Sequence, residues 1–212
     1  MIKAVFFDVA NTLLYKPSLF TNIQQVFKAH GHPVPLDHIQ KSHQRLTEEV
    51  IFPDSTNKEF YLDFNAKLCA SLEVPHTEEL TEEIYAACSG LIWSKFHDAD
   101  AIGSLNLPLG IGSNWDTSLR EKLGGFFQVD FEWVLVSEEL GIKKPNPAFF
   151  HKMIEISGYQ PNEIMFVGDS MRLDILPSKK TGINSVLIDR TNFYANYEGL
   201  KIKNLNELTK LI

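Results

Sequence analysis

Asp8 follows the apolar run Ala4 to Phe7, Asp169 ends IMFVGD, Ser113 ends LPLGIGS, and Lys144 lies in GIKKPNPAFF ahead of a helix-opening proline. Two carboxylates brought close together repel, and one protonates unless a cation bridges them. Mg²⁺ suits such a pair, because it takes one or two carboxylates, keeps several waters and accepts phosphate oxygens. Ser113 offers a hydroxyl beside the N–H groups of a helix start, and Lys144 offers a point charge, so both can hold one anion. A carboxylate nucleophile, a metal, a hydroxyl and an ammonium group are what phosphoryl transfer through an aspartyl-phosphate requires. Asn114, adjacent to Ser113, is a further candidate to line the anion pocket, while Trp115 fits core packing or a surface platform equally well. Lys143 competes with Lys144 for the anion; Lys144, directly before Pro145, is assigned the role and Lys143 is expected to be solvated.

These residues act together only if the chain brings the ends of several strands to one place. Short apolar runs over 2–8, 107–113, 133–137, 164–169 and 184–189 read as buried strands. Helical segments are expected over 117–123, 147–157 and 173–181, between those runs. Strand, helix, strand at this spacing implies βαβ units and a parallel sheet. From 16 to 93 the pattern is helical throughout, with helices over 18–30, 36–50, 58–72 and 78–93. Breaks fall at GHPVP, FPDSTN and EVPHT. The expected fold is a doubly wound α/β core over 1–15 and 99–212, with a helical domain over 16–98 inserted after the first strand. In open parallel sheets ligands bind at the carboxyl ends of the strands, where Asp8, Ser113, Ser137 and Asp169 would collect.

Composition narrows the partners. A formal net charge of -7 with scattered Lys and Arg argues against nucleic acid, which demands clustered cations. A small anionic substrate remains compatible, because a metal and one or two local cations outweigh the global field. No apolar run reaches the ~18 residues of a membrane span, and the N-terminus lacks signal-peptide features, so a cytoplasmic monomer or homodimer is the expectation. The two cysteines, Cys69 and Cys88, are expected as buried thiols. The histidines 30, 32, 38 and 43 place no pair at i, i+4 and match no metal motif. The aromatic residues Phe52, Phe60, Tyr61 and Phe64 are expected in the core of the helical insert.

The ordered set FFDVANTLL, GIGSN, GIKKPNPAFF and VGDSMRLD resembles the four motifs of the haloacid dehalogenase superfamily, most of whose members are phosphatases. The resemblance spans the chain. It implies Asp8 as nucleophile and metal ligand, Ser113 and Lys144 as phosphate binders, Asp169 as a ligand of Mg²⁺, and Asp174 as the residue orienting metal waters or Lys144. It further implies that the backbone carbonyl of Ala10 ligates the metal and that the helical insert is a cap selecting a small phosphorylated substrate.

The departure from the pattern is Ala10. Most phosphatases of this family have an Asp there, which protonates the leaving group and later activates water. General acid–base groups contribute ~10²–10⁴-fold, roughly 3–5 kcal/mol of barrier. Ala10 therefore admits a weakened phosphatase, a phosphate-binding or regulatory protein with little turnover, or a phosphonatase-like hydrolase using a lysine of the insert. The haloacid dehalogenases, which need no metal, fit poorly with a sequence that carries both Asp169 and Asp174.

Overall fold

The structure is a computed structural model that describes residues 1–53 and 56–212. The break expected at FPDSTN includes Asp54 and Ser55, which lie outside the described residues. All four residues of β1 (Ala4–Phe7) are buried. This is the reason it reads as an unbroken apolar run, since strands of parallel sheets are covered on both faces. The other strands are β2 (Leu14–Tyr15), β3 (Ser94–Lys95), β4 (Leu109–Ser113), β5 (Trp133–Val136), β6 (Ile164–Gly168), β7 (Asn184–Ile188) and β8 (Lys201–Ile202).

Six of them form a parallel sheet in the order β5-β4-β1-β6-β7-β8. The chain builds outward from β1 through β4 to β5, then returns to the other side of β1 for β6, β7 and β8. Strand order therefore reverses between β1 and β6, and in open α/β sheets the crevice at that reversal binds ligands. Phe7 is in register with Val167, and the Asp8 N–H donates to the Val167 carbonyl at 2.9 Å, so Asp8 and Asp169 leave the sheet on neighbouring strands. Phe6 and Phe166 pack with Phe149, Phe150 and Met153 of α7 (Pro147–Ser157) on one face of the sheet. Gly110 makes room for the Phe6 ring, which a Cβ would strike.

The remaining helices of this unit are α5 (Leu119–Phe126), α6 (Ser137–Leu140) and α8 (Leu176–Lys180). The helix expected over 173–181 is instead a π-helical turn, Met171–Ile175, followed by α8. Pro177 has no N–H to continue an α ladder, and Ile175 N–H reaches back to the Ser170 carbonyl at 3.1 Å.

The chain divides into two compact units, Met1–Tyr15 with Ser94–Ile212, and Lys16–Trp93. The return to the α/β unit at Ser94 comes earlier than the expected 99. The chain turns at Gly90, which sits at φ +72, after a helix that ends at Cys88 rather than at 93. β3 then pairs antiparallel with β2, Leu14 opposite Lys95 and Tyr15 opposite Ser94. The helical unit contains α1 (Leu19–Ala29), α2 (Leu36–Glu49), α3 (Lys58–Ser71) and α4 (Glu78–Cys88). Asn57 and Thr77 cap α3 and α4 by accepting from the N–H of Phe60 and Leu80. Its core gathers Ile23, Phe27, Ile39, Phe64, Leu68 and Ile84, with Phe52 and Phe60 packed against it. His43 contacts the rings of Phe20 and Phe64, and His30 bonds Glu83 at 3.0 Å. Cys69 and Cys88 are free thiols, both raised to about 11 by burial. No helix among the described residues is long and apolar enough to cross a membrane.

Candidate active site

The loop after β1 is a tight hook. Leu13 and Leu14 N–H both donate to the Val9 carbonyl at 2.9 Å, and Asn11 N–H donates to the Leu14 carbonyl at 2.7 Å. Asn11 closes the hook at φ +58, a left-handed conformation that Asn tolerates through its short polar side chain. Asp8 is thereby held at the strand end, 6% exposed. Its Oδ1 accepts from Ser113 Oγ at 3.0 Å and from Lys144 Nζ at 2.7 Å. Its Oδ2 accepts no hydrogen bond from a described residue.

Lys144 is buried, its ammonium group 2.7 Å from both Asp8 Oδ1 and Asp174 Oδ1 and 5.4 Å from the centre of the Phe166 ring. Burial alone would favour the neutral amine. The carboxylates of Asp174 and Asp8 outweigh it, and the ammonium is held well above its ordinary value. Asp174 experiences the opposite balance. Burial is the largest influence and pushes its carboxyl up; Lys144 opposes this, and the charge of Asp8 adds to it.

The position of Asp174 follows from the π-helical turn. Its Oδ2 accepts from the Ser170 N–H at 3.1 Å, and its own N–H donates to the Ser170 carbonyl at 3.1 Å. Gly168 at the end of β6 lets the carboxylate lie against the strand, because a Cβ at that position would overlap it.

Asp8, Asp169 and Asp174 each present a carboxylate oxygen within 4.8 Å of the others. Three carboxylates gathered this closely repel one another, and a hard divalent cation suits their oxygen donors. The donor set thus fits Mg²⁺, with the Ala10 carbonyl in the adjoining hook.

Asn114 has a different place from the expected one. Its carboxamide spans the main chain of Lys144, Oδ1 accepting from the Lys144 N–H and Nδ2 donating to the Lys144 carbonyl, both at 2.8 Å. The side chain expected to line the pocket helps to position the lysine. Lys143, expected to be solvated, is half-buried.

Over these motifs, a sequence model of haloacid dehalogenase-like hydrolases matches residues 2–182. The chain belongs to that family. This hydrolase is 29% identical over 197 residues to a glyceraldehyde 3-phosphate phosphatase of Pyrococcus furiosus, an alignment covering 87% of this chain and 80% of the relative. It is 25% identical to a glyceraldehyde 3-phosphate phosphatase of Methanothermobacter thermautotrophicus, covering 100% of this chain and 98% of the relative. Its fold is shared with the putative HAD-hydrolase YfnB of Bacillus subtilis, solved bound to magnesium, with a TM-score of 0.66, 21% identity and coverage of 99% and 98% of the two chains. The hydrolase is thus a phosphatase-like enzyme on a Rossmann-like α/β sheet.

Two supporting residues of the hydrolase, Phe166 and Arg190, gave no functional signal in the sequence, and Ser137, expected at the strand ends, has a positioning role. Ser137, buried at the end of β5, accepts from the Trp115 N–H at 3.0 Å and fixes the loop after Ser113. Phe166 lies under Lys144. Arg190 donates to the Thr12 carbonyl at 2.9 Å and so holds the hook that follows Asp8.

Proposed function

We propose that the protein is a Mg²⁺-dependent phosphatase of small phosphorylated metabolites that works through a phosphoryl group carried on Asp8. The observation that carries this reading is the split role of the Asp8 carboxylate. Oδ1 is fixed by Ser113 and Lys144, and Oδ2 accepts no bond from a described residue, so one oxygen is oriented while the other keeps its lone pairs for phosphorus. Ser113 and Lys144 would meet the phosphoryl oxygens, which keeps the group in line with Oδ2 and balances its charge. Asp8, Asp169, Asp174 and the Ala10 carbonyl would hold Mg²⁺, which supplies further neutralisation of phosphate charge when bound. Asp174 fixes the direction of Lys144, and Asn114 its backbone. The helical unit is assigned the role of a cap that selects the substrate and excludes water. The relatives named as glyceraldehyde 3-phosphate phosphatases make three-carbon phosphates the first compounds to try.

Ala10 favours a second reading, a protein that binds phosphorylated metabolites with little turnover, because the hook offers no acid or base at that position. One assay separates the two. Phosphate release from a panel that includes glyceraldehyde 3-phosphate is measured with Mg²⁺, with chelator, and with Asp8→Asn. Metal-dependent release that disappears in Asp8→Asn supports the phosphatase; saturable binding of panel members without release supports the binding protein.

A further inference from the structure

We propose that the preferred substrate is an activated phosphoryl donor, an acyl phosphate or comparably good leaving group, whose departing oxygen needs no proton; this rests on the reading of Asp8 as phosphoryl acceptor. An alcohol released from a simple phosphate ester would leave as an oxyanion about as basic as hydroxide, whose conjugate acid has a pKa near 15.7. Positioned acids normally relieve that penalty by ~10²–10⁴-fold.

In the α/β unit the hook offers no acid, and the charged groups around Asp8 are already engaged. From Val9 to Leu14 the hook contains no ionisable side chain. Asp174 uses one oxygen on Lys144 and the other on the Ser170 N–H, and Lys144 is divided between Asp174 and Asp8. Asp169 belongs to the carboxylate cluster with Asp8 and Asp174, whose oxygens suit a cation. On the loop beyond Ser113, Asp116 accepts from Ser118 N–H and Oγ, and Glu138 accepts from the Thr117 N–H. Each of these carboxylates has another task.

A carboxylate leaving group changes the requirement, because its conjugate acid has a pKa near 4 and it departs as a stable anion. In the first step a lone pair of Asp8 Oδ2 forms the new bond to phosphorus, and the bond from phosphorus to the leaving oxygen breaks with its electron pair. No proton moves. In the second step water adds to phosphorus, gives its proton to solvent, and the bond from phosphorus to Asp8 breaks. The same position that lacks an acid in the first step lacks a base in the second, so phosphorylated Asp8 accumulates between them.

The test uses the full chain with Mg²⁺ and a series of phosphate donors of graded leaving-group acidity: acetyl phosphate, substituted aryl phosphates and glycerol phosphate. The expected result for the unmodified protein is a kcat/KM that falls steeply as the leaving group becomes more basic. A burst of one leaving group per site should accompany it, with one added phosphoryl group seen by intact mass. In Ala10→Asp the dependence should flatten, and glycerol phosphate turnover should rise ~10²–10⁴-fold. A flat dependence without a burst in the unmodified protein would overturn the inference while leaving Asp8 in place, because the acid then comes from elsewhere. Turnover that survives in Asp8→Asn would overturn the reading of Asp8, and the inference with it. The burst needs no variant, so a poorly folded Ala10→Asp would not spare the proposal.

Discussion

Asn114 tests how far the site depends on residues that never touch a substrate. Its carboxamide makes both hydrogen bonds to the main chain of Lys144 at 2.8 Å, as a neighbouring strand would. Asn114→Ala should leave the Lys144 N–H and carbonyl without these partners and destabilise the protein by about 1–3 kcal/mol. The urea midpoint should fall with no change in slope, and kcat should fall more than KM rises. Asn114→Asp should be worse than Ala, because it sets an oxygen against the Lys144 carbonyl and adds a carboxylate beside a site that already gathers three. The residues legible in the sequence were those whose chemistry is restricted. A carboxylate or lysine at a strand end has few uses, and Asp8, Ser113, Lys144, Asp169 and Asp174 come together as the motifs imply. The bonds of Asn114 to Lys144 were not legible, because a carboxamide donates and accepts equally well and its sequence names no partner.

The strands β2 and β3 have two residues each, too few for any periodicity, and β8 has the same length. Arg190 secures the first pair. Its guanidinium donates to Asp98 Oδ2 and to the Thr12 carbonyl, both at 2.9 Å, and lies 3.7 Å from the centre of the Phe96 ring, which stacks on Tyr15 at 4.3 Å. Burial raises the Asp98 carboxyl, but its bonds to Arg190 and to the Leu205 N–H outweigh that and hold it below its ordinary range. Arg190→Ala should destabilise the protein by about 3–5 kcal/mol in chemical denaturation, since it strands a buried charge. Arg190→Lys should recover little, because an ammonium cannot make the planar fork or the stack. Nothing in the surrounding sequence marks this arginine, whose partners are 92 and 178 residues away. In α2, burial lowers the His43 imidazole to about 4, against 6.5 for the ordinary group. Between those values the unfolded chain binds a proton and the folded chain does not. Stability is therefore greatest above pH 6.5 and declines as pH falls toward 4, by at most about 3 kcal/mol. His43→Leu should remove that slope, read as the difference in unfolding midpoint between the two proteins at pH 7 and pH 5.

The whole chain is acidic, with a formal charge of -7, and three of its carboxylates gather at the crevice where strand order reverses. Such a cluster is unfavourable in a metal-free protein, because three carboxylates repel one another. Folding brings them together, so a cation that binds only the folded state should stabilise it. At a hundredfold excess over its dissociation constant the gain is about 2.7 kcal/mol, which for a chain of this size raises the unfolding midpoint by about 5–10 °C. Asp169→Asn separates this account from general salt screening. The neutral amide relieves part of the repulsion, so the metal-free variant should unfold at the same or a higher temperature than the unmodified protein, while losing most of its response to Mg²⁺. A calorimetric comparison of the two proteins, with Mg²⁺ and with NaCl at equal ionic strength, reads both effects. An equal response of the two proteins to Mg²⁺ would remove Asp169 from the metal site, and the gathering of three carboxylates would then need another explanation.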